Sequence, residues 1–289
     1  MFGIGATKAG TSWLYRFLDA HPDCAMPMVK ELHYFDTVEF GTNAGALKSV
    51  EAGIEGARAK LRKGVRRSIR AKHLRSRIAA FQELHQLLTA GREVPEAYLG
   101  YLNRQADSAA LVADITPAYA LLPEARLRQM AAMTPDVRFV YLLRDPVDRL
   151  WSNLRMMATR LAETASAIPR IARALAQKVL NGTEQEASRR SDYAATLARL
   201  DRAVAPEALF VGFYETLFSP ETTENLCRFL GIAPRTGTPD KKVHGGVAIP
   251  LDETLQVALA RHLAPQYAAV EARFGVLPDA WQQNLAKVR

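Results

Sequence analysis

The sequence predicts an α/β protein: a central parallel sheet flanked by helices in three layers, with helical insertions. Three observations carry that expectation. Four short apolar runs are each followed by helical periodicity. One of them, residues 137–143 (Val-Arg-Phe-Val-Tyr-Leu-Leu), is nearly continuous, as in a strand buried on both faces of a parallel sheet. A glycine-rich turn joins the first run to the first helical pattern.

The elements follow in order. Residues 1–5 form a short apolar strand that breaks into Gly5-Ala6-Thr7-Lys8-Ala9-Gly10-Thr11-Ser12. Trp13, Leu14, Phe17 and Leu18 then recur at helical spacing until His21-Pro22. A second run, 109–113, ends at Asp114 and Thr116-Pro117; the third is 137–143, and the fourth is 208–214. Two regions stand outside this alternation. In the first, Leu61, Val65, Ile69, Leu74, Ile78, Phe81, Leu84 and Leu88 predict an amphipathic helix or helix pair. In the second, a helical stretch over 166–200 breaks at Asn181-Gly182. The organisation expected is one domain over 1–289, with helical insertions at about 45–105 and 162–200.

Charge is concentrated. The chain has 289 residues, 38 Lys and Arg against 30 Asp and Glu, and a net charge of +8. Arg58, Lys60, Arg62, Lys63, Arg66, Arg67, Arg70, Lys72, Arg75 and Arg77 lie within twenty positions that contain no acid. Without them 28 basic residues face 30 acidic ones, so the chain is a near-neutral globule with one cationic segment. A chain basic throughout is excluded. Aromatics are scarce in the segment, which argues against nucleic acid. It reads as a solvated helix face, a cationic rim for an anionic acceptor, or an amphipathic helix lying on an anionic membrane with Leu61, Val65, Ile69 and Leu74 toward lipid. No apolar window reaches the roughly 18 residues of a membrane span, and the first motif begins within five residues of Met1. The expectation is a cytoplasmic protein, with peripheral contact at the inner membrane surface left open. Cys24 and Cys227 fit no metal-ligand spacing and read as two reduced thiols.

The glycine spacing of residues 5–12 is that of a nucleotide-binding P-loop, except that Thr11 stands where an NTPase has its lysine and Lys8 lies inside the loop. Amides opening the helix would form an anion cradle. Arg144 follows the third strand, where ligands gather in open α/β sheets. Asp145-Pro146 reads as N-cap and first residue of the next helix, with Ser152 about two turns in.

Taken together, these segments resemble sulfotransferases that use 3′-phosphoadenosine 5′-phosphosulfate (PAPS). Gly5-x-x-Lys8-x-Gly10-Thr11-Ser12-x-Leu14-Tyr15 is similar to the family's 5′-phosphosulfate loop, and residues 140–152 to its 3′-phosphate motif. Tyr214-Glu215 and residues 226–232 resemble the family's tail. The resemblance implies a P-loop-like fold, PAPS as donor, 3′-phosphoadenosine 5′-phosphate (PAP) as product, and no metal. It implies cofactor contacts at Lys8, Ala9, Gly10, Thr11, Ser12, Trp13, Arg144 and Ser152, with Lys242 on the adenosine side. Lys30-Glu31-Leu32-His33-Tyr34-Phe35-Asp36 is similar to a stretch of the carbohydrate branch, the heparan sulfate sulfotransferases and their bacterial relatives. By position Glu31 is then the base and Lys8 the cation at the leaving oxygen, with His33 and Asp36 assisting. Lys30 and Glu31 as a plain exposed ion pair is the alternative. On an extended segment Glu31 and His33 would share a side. Thr116 and Tyr119, in a Thr-Pro-x-Tyr segment, are implied beside the acceptor together with Glu31 and His33. Ile115 stands where several polysaccharide-sulfating relatives have lysine, which weakens the case for a highly sulfated glycan. The competing enzyme reading is a P-loop kinase or NTPase, in which residues 110–114 are the strand that ends in a magnesium-binding Asp114. A nucleotide-binding protein that docks through its basic helix is the non-enzymatic one.

Overall fold

The computed structural model describes residues 1–41, 43–63, 69–104, 106, 108–236 and 249–287. Four strands, β1 (Phe2–Gly5), β4 (Asp114–Ile115), β5 (Phe139–Leu143) and β6 (Leu209–Phe213), make a parallel sheet in the order β4-β1-β5-β6. Two further strands, β2 (Cys24–Ala25) and β3 (Leu111–Val112), pair separately, also in parallel. Of the second apolar run only Leu111 and Val112 form a strand, and it pairs with β2; the strand that pairs with β1, Asp114 and Ile115, begins just past the run.

Every residue of β1 and β5 is buried, as the continuous apolar run at 137–143 requires of a central strand covered on both faces. The helices that cover the sheet are α1 (Thr11–Asp19), α2 (Tyr34–Phe40), α3 (Ala44–Arg62), α4 (Ile69–Thr89), α5 (Pro95–Asn103), α6 (Glu124–Ala131) and α7 (Pro146–Leu161). After them come α8 (Ile168–Leu180), α9 (Gln185–Ser191), α10 (Tyr193–Ala203), α11 (Pro220–Leu230), α12 (Glu253–His262), α13 (Ala264–Phe274) and α14 (Asp279–Ala286). The stretch over 166–200 does break after Asn181, and breaks again at Asp192, whose side chain caps α10 by accepting from the Ala195 amide at 3.0 Å.

Strand order places the site. The chain leaves β1 for β4 on one side, then crosses to β5 on the other, so the sheet reverses its direction of growth at β1. The carboxyl ends of β1 and β5 are adjacent there, and the crevice outside such a switch point is where open α/β sheets hold ligands.

Candidate active site

The loop after β1 is set by its backbone. Gly5 and Gly10 have φ of 148° and 98°, a region that side chains disfavour. A Cβ on Gly10 would stand 2.9 Å from Leu217 Cδ2 and 3.1 Å from Tyr214 Cδ2. The Ala6 amide donates to Leu142 O at 2.7 Å and the Ala9 amide to Ala6 O at 3.1 Å, which curls the chain into a bowl. Helix α1 then starts on Gly10 with no side-chain cap and no acid in its first turn. Its opening amides and the positive end of its dipole face the bowl, as an anion cradle needs. Ala9 and Thr11 are buried and Ser12 is half-buried. The Trp13 ring stacks on Phe17 at 4.9 Å and meets Phe218 edge-on at 5.3 Å, so Trp13 anchors the loop from beneath instead of lining it.

Lys8 projects from this loop with φ of 72°. Its pKa lies below the ordinary lysine value, first through burial and then through repulsion from Arg144, Arg155 and Arg160, with Glu31 pulling the other way. Three guanidinium groups thus share a field with one ammonium, a surplus of positive charge suited to a polyanionic ligand.

Arg144 leaves β5 beside that loop, its Nη1 donating to Lys8 O at 3.4 Å. Asp145 caps α7 by accepting from the Asp148 amide at 2.9 Å, and Pro146 opens the helix. Ser152 is buried on α7, two turns on from Pro146. Two residues that sequence reasoning missed also reach the loop. Arg149 is fully buried, donates to Ser191 Oγ and touches Thr7 O at 3.5 Å. Arg190 of α9 donates to Thr7 Oγ1 at 3.1 Å. Their sequence signal is weak, since nothing in the spacing of α9 marks it as a neighbour of β1.

The segment from Lys30 to His33 is not extended. Glu31 and His33 have φ of 62° and 54°, so period-two alternation does not apply to them. Neighbours about 85 positions away hold this shape: the Leu32 amide donates to Thr116 Oγ1 at 2.8 Å and the Tyr34 amide to Tyr119 OH at 3.1 Å. Glu31 and His33 nevertheless meet, His33 Nε2 lying 3.9 Å from Glu31 Oε2, while His33 Nδ1 is 2.8 Å from Asp36 Oδ2. Lys30 is paired with Glu31, so the ion pair and the trio coexist. Burial works to lower the His33 pKa, but the Asp36 hydrogen bond and the charges of Asp36, Glu31 and Asp114 outweigh it and raise it. Asn43 completes the group: its Nδ2 donates to Asp36 Oδ2 at 3.2 Å while its Oδ1 accepts from the Ala46 amide at 2.9 Å, capping α3.

Thr116 and Tyr119 are fully buried. Both hydroxyls donate to Asp114, at 2.6 and 2.7 Å, and Tyr98 adds a third bond at 2.8 Å. Direct acceptor contact, expected of Thr116 and Tyr119, does not fit that burial; they brace the loop that carries Glu31 and His33. Asp114 itself is wholly buried, and burial raises its pKa against those three bonds. A carboxylate so enclosed is not placed to hold magnesium against a phosphate, which removes the footing of the kinase reading.

Among the described residues of the cationic segment, Arg58, Lys60 and Arg62 lie on α3 and Arg70, Lys72, Arg75 and Arg77 on α4, helices packed so closely that a Cβ on Gly53 would fall 2.4 Å from Phe81 Cζ. The lipid-facing reading needs correction here. Leu74 is buried, Leu61 is half-buried, and of the described residues in that set only Ile69 is exposed, at 91%. The described stripe is thus divided, Leu74 packed inside and Ile69 left at the surface. Val65 and Lys242 lie outside the described residues. Among the described residues no helix is long and apolar enough to cross a membrane.

A switch-point anion loop, an arginine at the next strand end and a Glu-His-Asp group together define the architecture of a group-transfer enzyme. The model of the sulfotransferase family matches residues 1–236, and the chain belongs to that family. Among solved structures it is similar to a sulfotransferase from Alicyclobacillus acidocaldarius, with 21% identity, TM-score 0.64 and 97% of each chain covered. It is also similar to the sulfotransferase domain of the Synechococcus PCC 7002 olefin synthase, with 20% identity, TM-score 0.51 and 92% of this chain and 93% of that chain covered. At these identities the likeness establishes the fold. No curated protein matches the chain.

Proposed function

We propose that this sulfotransferase moves the sulfuryl group of PAPS to a hydroxyl or amine of a glycan, lipid or small-molecule acceptor and releases PAP. The observation that carries the reading is the juxtaposition at one sheet edge of an uncapped helix start at Gly10 and the Arg144 guanidinium, 3.4 Å from the loop carbonyl of Lys8. Two anion sites side by side suit a nucleotide with phosphate groups on both its 5′ and 3′ sides. The donor's 5′-phosphosulfate fits the bowl over Lys8, and its 3′-phosphate fits Arg144 and Ser152.

Glu31 then takes the proton of the acceptor as the acceptor atom attacks sulfur in line. The sulfur–oxygen bond to the 5′-phosphate breaks, and the electron pair stays on that bridging oxygen, where Lys8 meets the new negative charge. His33, bonded to Asp36, orients Glu31 and balances its charge. The Glu31-His33-Asp36 group supports kinship with the carbohydrate branch. For the acceptor, the basic residues that α3 and α4 carry favour an anionic molecule.

Calorimetry with PAP tests the reading. Wild type binds PAP, and Arg144→Ala weakens binding by about 100-fold, the scale of a lost buried charge-assisted contact. Binding of ATP with magnesium and none of PAP would overturn it. Turnover of labelled PAPS against a panel of glycans, lipids, phenols and amines then identifies the acceptor.

A further inference from the structure

We propose that Tyr193, Tyr214 and Glu215 are positioning residues that present Arg144 and fix its distance from the anion loop, so that the chain selects nucleotides phosphorylated on both sides. The inference rests on the reading of Arg144 as the 3′-phosphate ligand.

The geometry starts at the peptide group between Arg144 and Asp145, where β5 ends and α7 begins. Its carbonyl accepts from Tyr193 OH at 2.7 Å, and its N–H donates to Glu215 Oε1 at 2.9 Å. Both polar atoms of a single peptide are thus held by side chains from other elements, one on α10 and one just past β6. Tyr193 is fully buried and stacked on Trp281 at 6.2 Å, so its hydroxyl is not free to follow a shift. Glu215 is also buried enough for its pKa to be raised.

Tyr214 controls the side chain. The Arg144 guanidinium lies over its ring at 4.8 Å, and on the loop side the same ring stands 3.1 Å from where a Cβ of Gly10 would be. One aromatic ring therefore touches both the 5′ anion bowl and the guanidinium, which itself reaches the bowl at the Lys8 carbonyl. The Tyr214 amide, donating to Leu143 O at 2.7 Å, locks the ring's position to the strand that carries Arg144. A ring that braces the guanidinium at a fixed place beside the loop favours a ligand whose two anions match that placement, and a small misplacement of the arginine is costly.

The experiment measures the affinities of PAP and of 5′-AMP, which lacks the 3′-phosphate, in wild type, Arg144→Ala, Tyr193→Phe, Glu215→Leu, Glu215→Gln and Tyr214→Leu, with melting temperatures taken alongside. We expect Tyr193→Phe and Glu215→Leu each to weaken PAP about tenfold, the scale of one lost hydrogen bond to a charged or buried group, and to leave 5′-AMP within about twofold. Glu215→Gln, which keeps the accepting oxygen, restores PAP affinity. Tyr214→Leu narrows the preference for PAP over 5′-AMP. In an Arg144→Ala background Tyr193→Phe has no further effect on PAP. Equal losses for both ligands, or none, would overturn the inference while leaving the donor reading standing. If wild type shows no preference for PAP over 5′-AMP and Arg144→Ala changes neither, the donor reading fails and this inference falls with it. Tyr193→Phe is nearly isosteric, so a melting temperature close to wild type keeps the result interpretable if Glu215→Leu folds poorly.

Discussion

Asp36 holds more than its size suggests. Its Oδ2 meets the His33 ring at 2.8 Å and the Asn43 amide at 3.2 Å, and the raised pKa of His33 depends on that carboxylate against the opposing pull of burial. Asp36→Asn should therefore lower the His33 pKa, read as the imidazole titration midpoint by NMR; an unchanged midpoint would mean that Glu31 and Asp114 suffice. The sign for stability follows. A histidine whose folded pKa is raised stabilises fully below its unfolded value of about 6.5 and loses that contribution as pH rises through the folded value. The advantage of wild type over Asp36→Asn should shrink across that window. The residues Glu31, His33 and Asp36 were legible from their motif, yet their backbone was not. The positive φ of Glu31 and His33 is imposed by Thr116 and Tyr119, partners too distant in sequence for any local pattern to reveal.

Among the elements, those that carry phosphate chemistry were the most legible, because their signals are local. A glycine-rich break after an apolar run, and Asp-Pro before a helix, are chemical instructions read within a few residues. The loop tests this directly. Gly10→Ala forces a Cβ toward Leu217 and Tyr214 at φ of 98°. Denaturation should show a loss of at least about 1–3 kcal/mol, the usual cost of such backbone strain, before any clash is added. A midpoint equal to wild type would show that the bowl relaxes without cost. Elements defined by long-range pairing were less legible. The run at 109–113 reads as the strand beside Asp114, yet Leu111 and Val112 join the smaller sheet and the main sheet takes Asp114 and Ile115, since nothing in the local pattern says which neighbour each will meet. Likewise nothing local in the stripe says that Leu74 is buried while Ile69 stays at the surface.

At the scale of the whole molecule, Asp145 ties the strand end and α7 to the C-terminal helices, accepting from Tyr267 OH on α13 at 2.8 Å. Burial raises its pKa from 3.8 to about 6, against the bonds from Asp148 and Tyr267. Between those two values the unfolded chain has released a proton that the folded chain keeps, so this residue makes stability fall as pH rises through the window and level off above it. The shift of about 2 units corresponds to ~3 kcal/mol. Asp145→Asn, which still caps a helix, should remove that slope; the same change in unfolding free energy between pH 4 and pH 6 in wild type and variant, read from urea titrations, would refute the assignment. The cationic segment that dominates the composition lies apart from this centre. The residues that form the positive field at Lys8 are Arg144, Arg155 and Arg160, none of them within positions 58–77.

Asn43 has a consequence for how such a protein can change. One amide both begins α3 and grips the carboxylate beside His33. The helices beyond it are packed into the common core through Val50, Phe81, Leu84 and Leu88. Replacing Asn43 would therefore loosen the carboxylate beside His33 at the same stroke as it uncapped the helix that leads into that packing.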